Sequence, residues 1–300
     1  MTSNPPPTAD ARLPSGHFIP ALPHSVGVLG GGRMGAGIAH AFLMAGCEVL
    51  VVERDTEAAA AARSRVENAV AKSVERGAAG GPDGFLARLA VSTDYAHFAR
   101  CGLVVEAVPE IRDLKVSSLQ AVERHLGPAA HLASNTSSLS MTGLAAELER
   151  PGNFIGLHFF NPVPASTLVE VVVAAQTLPM LVDSAQGWVA ALGKTAVVVN
   201  DAPGFASSRL GVVLALEAMR MLEEGVASAE DIDNAMVLGY RHQTGPLRTT
   251  DLVGLDVRLE IADYLAETLG ERFAPPQILR DKVARGELGR KSGKGFFDWG

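Results

Sequence analysis

The most constraining feature is a short apolar run that ends in glycine and opens directly into a helical pattern. Val26-Gly27-Val28-Leu29 leads into Gly30-Gly31-Gly32-Arg33-Met34-Gly35, after which Met34, Ile38, Phe42 and Leu43 recur at helical spacing. A second run, Val49-Leu50-Val51-Val52, ends in Glu53. Strand, glycine turn, helix and strand in that order make one βαβ unit of a parallel sheet. The turn fits G-x-G-x-x-G. Gly30 permits the tight turn, Gly32 lets a pyrophosphate approach the backbone, and Gly35 lets helix pack on strand. Glu53 follows Gly35 by 18 residues, where an acid accepts from the ribose hydroxyls of a dinucleotide. An acid there repels a 2′-phosphate, so NAD(H) is expected over NADP(H). Arg54 is the neighbouring cation that would favour the phosphate. The expected cofactor contacts are Gly30, Gly32, Arg33, Met34, Gly35 and Glu53.

The same alternation continues. Further strands are expected at Leu89-Ala90-Val91, Leu103-Val104-Val105-Glu106, His131-Leu132-Ala133-Ser134, Phe154-Ile155-Gly156-Leu157, Leu168-Val169-Glu170-Val171-Val172-Val173 and Ala196-Val197-Val198-Val199. Continuous β-branched runs of this kind suit strands covered on both faces of a parallel sheet. Helices are expected at 34–45, 56–76, 113–125, 142–148 and 178–192. Together they predict an α/β fold, a Rossmann-type doubly wound sheet over residues 24–202. After Asp201-Ala202-Pro203-Gly204 the strands stop. Helices at 205–224, after an N-cap at Ser228, at 255–269 and at 276–285 predict a smaller all-helical domain, residues 203–300. Residues 1–23 hold Pro5-Pro6-Pro7 and no periodicity. They read as a disordered leader, and lacking the basic and apolar regions of a secretion signal they place the protein in the cytoplasm.

Charge and composition exclude several classes. Lys and Arg number 26 against 33 acids, a net charge of −7, which opposes nucleic-acid binding. No apolar stretch approaches the roughly 18 residues of a membrane span. Cys47 and Cys101 are too few for a disulfide framework or a structural zinc site, so no metal is expected.

Two polar constellations carry chemistry. His158 ends one strand and Glu170 lies within the next, symmetric about Pro164. A return through 161–166 would set them opposite one another, with Cβ atoms about 4.5–5.5 Å apart. A lone histidine reads first as a satisfied core residue. An acid inside Leu168-Val169-Glu170-Val171-Val172 needs a partner, however, and His158 is the nearest candidate. A carboxylate-oriented imidazole is a general base for an alcohol proton. Ser134-Asn135-Thr136-Ser137-Ser138 follows a strand, at the end where ligands bind in open α/β sheets. It reads equally as a polar loop before a helix capped by Ser140 or Thr142.

In these segments the chain resembles the short-chain L-3-hydroxyacyl-CoA dehydrogenase family, which includes the 3-hydroxybutyryl-CoA dehydrogenases. The matching segments are 30–39, Val104-Val105-Glu106-Ala107-Val108, Ala133-Ser134-Asn135-Thr136-Ser137-Ser138-Leu139, Gly156-Leu157-His158-Phe159-Phe160-Asn161-Pro162-Val163-Pro164, Leu192-Gly193-Lys194, Pro203-Gly204-Phe205 and 288–297. The resemblance implies an NAD-dependent, reversible oxidation of a 3-hydroxyacyl-CoA to the 3-ketoacyl-CoA. It implies His158 as catalytic base, Glu170 as its partner, and Ser137 and Asn161 at the reacting oxygen and nicotinamide. It implies NAD contacts at Glu110, Lys115 and Lys291, a coenzyme A contact at Arg76, and a homodimer formed through the helical domain. A solvated helix face is the other reading of Arg76. The chain departs from the family in two places: Ser208 stands where Asn is usual, and Arg241-His242-Gln243-Thr244-Gly245-Pro246 replaces a Gly-His-Pro-Met-Gly-Pro-like segment. Both bear on the acyl group. Rival readings are an acyl group held by a carrier protein, the β-hydroxyacid dehydrogenase branch with a catalytic lysine, and a crystallin-like structural relative.

Overall fold

The computed structural model describes residues 21–300, so all but the end of the expected leader lies outside the described residues. The chain divides into two compact units, Met1–Asp201 and Ala202–Gly300. The first unit holds an eight-stranded sheet in the order β3-β2-β1-β4-β5-β6-β7-β8. Its strands are β1 (Ser25–Leu29), β2 (Glu48–Val52), β3 (Leu89–Ser92), β4 (Leu103–Glu106), β5 (His131–Ser134), β6 (Phe154–Phe159), β7 (Leu168–Val173) and β8 (Thr195–Asn200). Strands β1 to β6 pair in parallel, β7 runs antiparallel to β6, and β8 is parallel to β7. Helices α1 (Arg33–Met44), α2 (Thr56–Glu75), α3 (Pro82–Leu86), α4 (Arg112–Glu123), α5 (Met141–Ala145) and α6 (Pro179–Ala191) complete the unit.

The β-branched runs are the core. Val26, Val28, Val51, Val104 and Val105 are fully buried, each contributing about 1.5–3 kcal/mol relative to an exposed side chain. The last run differs from expectation. Val197 and Val198 on β8 are 37% and 43% exposed, because β8 is the end strand of the sheet. A β-branched run records strand propensity whether or not both faces are covered.

The turn between β1 and α1 explains its glycines individually. Gly30 has φ +88°, which disfavours any side chain. A Cβ at Gly35 would overlap the carbonyl oxygen of Gly30, whereas one at Gly32 would meet nothing within 4 Å. Gly35 is therefore a packing residue, and Gly32 leaves open space above the start of α1.

The second unit contains α7 (Ser207–Glu223), α8 (Ala229–Tyr240), α9 (Pro246–Val253), α10 (Leu255–Leu269) and α11 (Gln277–Ala284). Ser228 caps α8 by accepting from Asp231 N at 3.1 Å, as its position suggested. Helix α9 was not anticipated. Its first turn is capped from another helix: buried Asp233 on α8 accepts from Leu247 N and Arg248 N at 2.8 and 2.9 Å. A cap from across the fold leaves no local signature. Arg241, which stands where the family segment begins with Gly, adopts φ +60°. That left-handed conformation costs a side-chain-bearing residue about 1–2 kcal/mol.

The glycine turn yields a paired prediction for thermal unfolding. Gly35→Ala should destabilise the chain by about 1–3 kcal/mol through overpacking, while Gly32→Ala should stay within about 0.5 kcal/mol of wild type. Equal stabilities would show that Gly35 is not set by packing.

Candidate active site

Glu53 follows β2 and reaches back over the glycine turn. Its Oε1 accepts from Gly31 N at 2.7 Å and its Oε2 from Arg54 N at 3.1 Å. The carboxylate thus sits beside the start of α1, next to the open space at Gly32. Arg54 is drawn to its other neighbour: Nε donates to Asp55 Oδ2 at 2.9 Å. The second oxygen of Asp55 caps α2 by accepting from Ala58 N at 2.7 Å.

The β6–β7 hairpin sets His158 directly opposite Glu170. Imidazole Nδ1 lies 2.8 Å from Glu170 Oε2, and the residues are 6% and 1% exposed. The Phe160 ring, tilted against the imidazole with centroids 4.5 Å apart, adds a wall. A carboxylate at Nδ1 selects the tautomer in which Nε2 is the basic nitrogen.

The serine-rich loop is held from two sides. Asn135 Oδ1 accepts from Phe159 N at 2.8 Å, tying the loop to the strand end beside His158. Glu110 Oε1 accepts from Ser137 N at 2.9 Å, Ser138 N at 3.0 Å and the hydroxyl of Thr136. Ser140 caps α5, so capping falls to Ser140 and the preceding serines belong to the Glu110 network. Lys115 donates to Glu106 at 2.7 Å and to Val108 O at 3.1 Å, and lies 3.2 Å from Glu110 Oε2. Glu106 is fully buried and Lys115 is 1% exposed. The remaining Glu106 oxygen accepts from Ser134 Oγ at 2.6 Å. Reading the sequence placed Ser134 in the polar segment at the end of β5 but missed Glu106 as its partner. The signal was present: an acid ends the apolar run of β4, in the same way that Glu170 interrupts β7.

A cavity of about 360 Å³ gathers Met34, Glu110, Lys115, Ser137, His158 and Asn161. A second, of about 500 Å³, shares Asn161 and is lined by Arg33, Arg65, Lys72 and Arg76. Arg76, at the C-terminal end of α2, therefore faces a concave basic surface. Ser208 lies in the first turn of α7, in the helical unit. Lys291 in that unit is held by Asp256, with both carboxylate oxygens at 2.6 Å. Among the described residues no helix is long and apolar enough to cross a membrane.

A doubly wound sheet, a glycine turn with an acid beside it, and a carboxylate-held imidazole in a cleft define a dehydrogenase of the dinucleotide-binding class. Residues 25–202 match the family described as 3-hydroxyacyl-CoA dehydrogenase, NAD binding domain, and 204–299 match its C-terminal domain. A 3-hydroxybutyryl-CoA dehydrogenase of Mycobacterium tuberculosis is 40% identical over 283 residues, spanning 91% of this chain and 98% of that protein. The mitochondrial hydroxyacyl-coenzyme A dehydrogenase of Sus scrofa is 37% identical, over 91% and 90% of the two chains. The crystal structure of (S)-3-hydroxybutyryl-CoA dehydrogenase from Ralstonia eutropha superposes with a TM-score of 0.89 at 35% identity, covering 93% of this chain and all of that one. The chain belongs to the 3-hydroxyacyl-CoA dehydrogenase family.

Glu110 makes the loop sensitive to acid. Burial opposes its ionisation, yet the Lys115 ammonium, the Thr136 hydroxyl and the Ser137 amide together hold its carboxyl below the usual range. A depressed carboxyl contributes stability above its unfolded pKa, about 4.3 for Glu, and loses it as pH falls through the folded value. Glu110→Gln should therefore melt several degrees below wild type at pH 6, with the gap closing towards pH 3. A gap that does not change with pH would remove Glu110 as the titrating anchor.

Proposed function

We propose that this chain catalyses the reversible oxidation of L-3-hydroxyacyl-CoA thioesters, of the 3-hydroxybutyryl-CoA class, to 3-ketoacyl-CoA with NAD as acceptor. The observation that carries the proposal is the buried His158–Glu170 pair, 2.8 Å apart, whose histidine lines a cavity with Ser137 and Asn161. The backbone at Gly32 is unobstructed and Glu53 stands beside it, which fits a dinucleotide. Gly30, Gly32, Arg33, Met34, Gly35 and Glu53 would hold it, with Glu110, Lys115 and Lys291 as further contacts. NAD, when bound, supplies the hydride acceptor. Arg54 is diverted to Asp55, which supports NAD over NADP.

His158 Nε2 takes the proton of the 3-hydroxyl, and Glu170 stabilises the imidazolium that results. The Ser137 hydroxyl and the Asn161 amide hydrogen-bond the oxygen and hold it towards His158. Ser208 stands where the family has Asn, offering one hydroxyl on a shorter arm. The basic cavity of Arg33, Arg65, Lys72 and Arg76 suits the phosphorylated nucleotide of coenzyme A, which a carrier-protein thioester lacks. Two assays test the reading: NADH appearance from L-3-hydroxybutyryl-CoA, against NADP and against a carrier-protein thioester. His158→Gln should lower kcat by at least about 10²-fold while retaining NAD affinity. Near-wild-type turnover in that variant would remove His158 as the base.

The helical domain is proposed to form a homodimer. Leu210, Leu214, Val253 and Val257 leave apolar surface exposed on α7, α9 and α10, at 62%, 42%, 43% and 37%. Patches of this kind mark association sites, and two-fold dimers are the commonest outcome. Light scattering should report twice the 31.3 kDa chain mass; a monomer at micromolar concentration would refute the dimer.

A further inference from the structure

The turn that joins β6 to β7 carries Asn161 but has little packing of its own. Asn161, Pro162, Pro164 and Ala165 are exposed, and Val163 is buried. The ladder that sets His158 against Glu170 closes at the Phe159–Val169 pair, before the turn begins. Both cavities nevertheless depend on this segment. Asn161 borders the two of them, and Pro162, Val163, Pro164 and Ala165 wall the larger.

Two contacts hold the turn in place. On α1, Gly37 makes room for Val163: a Cβ at Gly37 would stand 2.8 Å from the Val163 Cβ, closer than side chains approach. The other contact comes from the start of β8. Gly193, at φ +71°, turns the chain out of α6 and delivers Lys194 beside the first residue of that strand. Lys194 Nζ donates to Val163 O at 2.7 Å and to Ser166 O. Within the turn, Pro162 O accepts from Ala165 N and Ser166 N at 3.0 Å each, so Lys194 takes carbonyls that these bonds leave over. Its described partners are carbonyls and not acids, and burial holds the ammonium below the usual lysine range. A half-buried cation with no acid beside it is retained for its donors.

We infer that Lys194 is a positioning residue for the dehydrogenation: its ammonium clamps the β6–β7 turn through two carbonyls and so aims the Asn161 amide at the reacting oxygen. This rests on the proposed function, in which Asn161 bonds that oxygen. Lys194 lines neither cavity, so it acts through Asn161 and the wall beside it. A misplacement of about 1 Å at a reacting centre costs up to about 10²-fold in rate, even when the cause lies away from the chemistry. The His158–Glu170 pair stands outside the clamp, because its ladder closes before the turn.

Lys194→Met keeps a long side chain and removes the ammonium. It should lower kcat/KM for L-3-hydroxybutyryl-CoA by at least about tenfold. Its dissociation constant for NAD should stay within about twofold of wild type, and the acid limb of the pH–kcat profile should not move. Lys194→Arg, which keeps donors for the carbonyls, should recover part of the loss. In an Asn161→Ala background Lys194→Met should cost less than about threefold, because residues that act as a unit are not additive. A full tenfold loss on top of Asn161→Ala overturns the positioning role, and so does a parallel loss of NAD affinity, which marks general loss of structure. Amide exchange read by mass spectrometry tests the clamp without turnover. In Lys194→Met, residues 160–167 should lose about tenfold in protection while β6 and β7 keep theirs. Unchanged exchange over 160–167 overturns the clamp. Absence of turnover with every ester in the wild-type chain defeats the dehydrogenase reading, and the exchange result then decides the clamp by itself.

Discussion

A carboxylate inside an apolar sheet must be paired, and this requirement builds the site twice. Glu170 on β7 is answered by His158 across the hairpin, and Glu106 at the end of β4 by Lys115 from α4. Breaking one partner of a buried pair costs about 3–5 kcal/mol, because the other charge is left uncompensated. Each pair therefore fixes its rotamers and, through them, what lies beyond. Glu106 and Glu110 hold Lys115 between them, and Glu110 gathers the amides of the 136–138 loop. Asn135 then ties that loop to the backbone beside His158. The imidazole and the Ser137 loop are thus held by one connected set of bonds, anchored in strands that the core immobilises.

The parts of this arrangement legible in the sequence are those with short-range periodicity. The glycine turn, the acid after β2 and the antiparallel return that pairs His158 with Glu170 all follow from spacing along one or two neighbouring strands. The Glu106–Lys115–Glu110 set joins β4 to the following helix and to the loop after β5. Its members carry no mutual spacing rule, so only the paired-charge argument applied to Glu106 would have found it. Helix α9 was hidden for a related reason. Its cap is Asp233, on a different helix, and the segment before it reads as a polar turn. The exposure of β8 was hidden because Val197 and Val198 have the same composition at the edge of a sheet as in its centre.

Buried polar groups also divide the two units by purpose. In the first unit every strongly buried charge named above is answered within the chain, which rigidifies a site for a fixed reaction. In the second, Asp233 and Asp251 are satisfied by backbone and indole N–H groups, and serve to cap a helix and seat the C-terminal segment.

The proposed preference for NAD rests on three consecutive residues after β2. Glu53 alone would repel a 2′-phosphate, but Arg54 beside it would offset that repulsion if its guanidinium could turn towards the ribose. Asp55 restrains it, and Asp55 also caps the twenty-residue helix α2. Releasing Arg54 by removing Asp55 forfeits the cap, a loss of about 0.5–2 kcal/mol. Replacing Asp55 with Ser or Asn keeps an N-cap acceptor while removing the charge that holds Arg54. On the proposed preference for NAD, Glu53 is the residue that opposes a 2′-phosphate, and the exposed Arg54–Asp55 pair, weak as surface ion pairs are, adds a smaller restraint that the cap of α2 keeps in place.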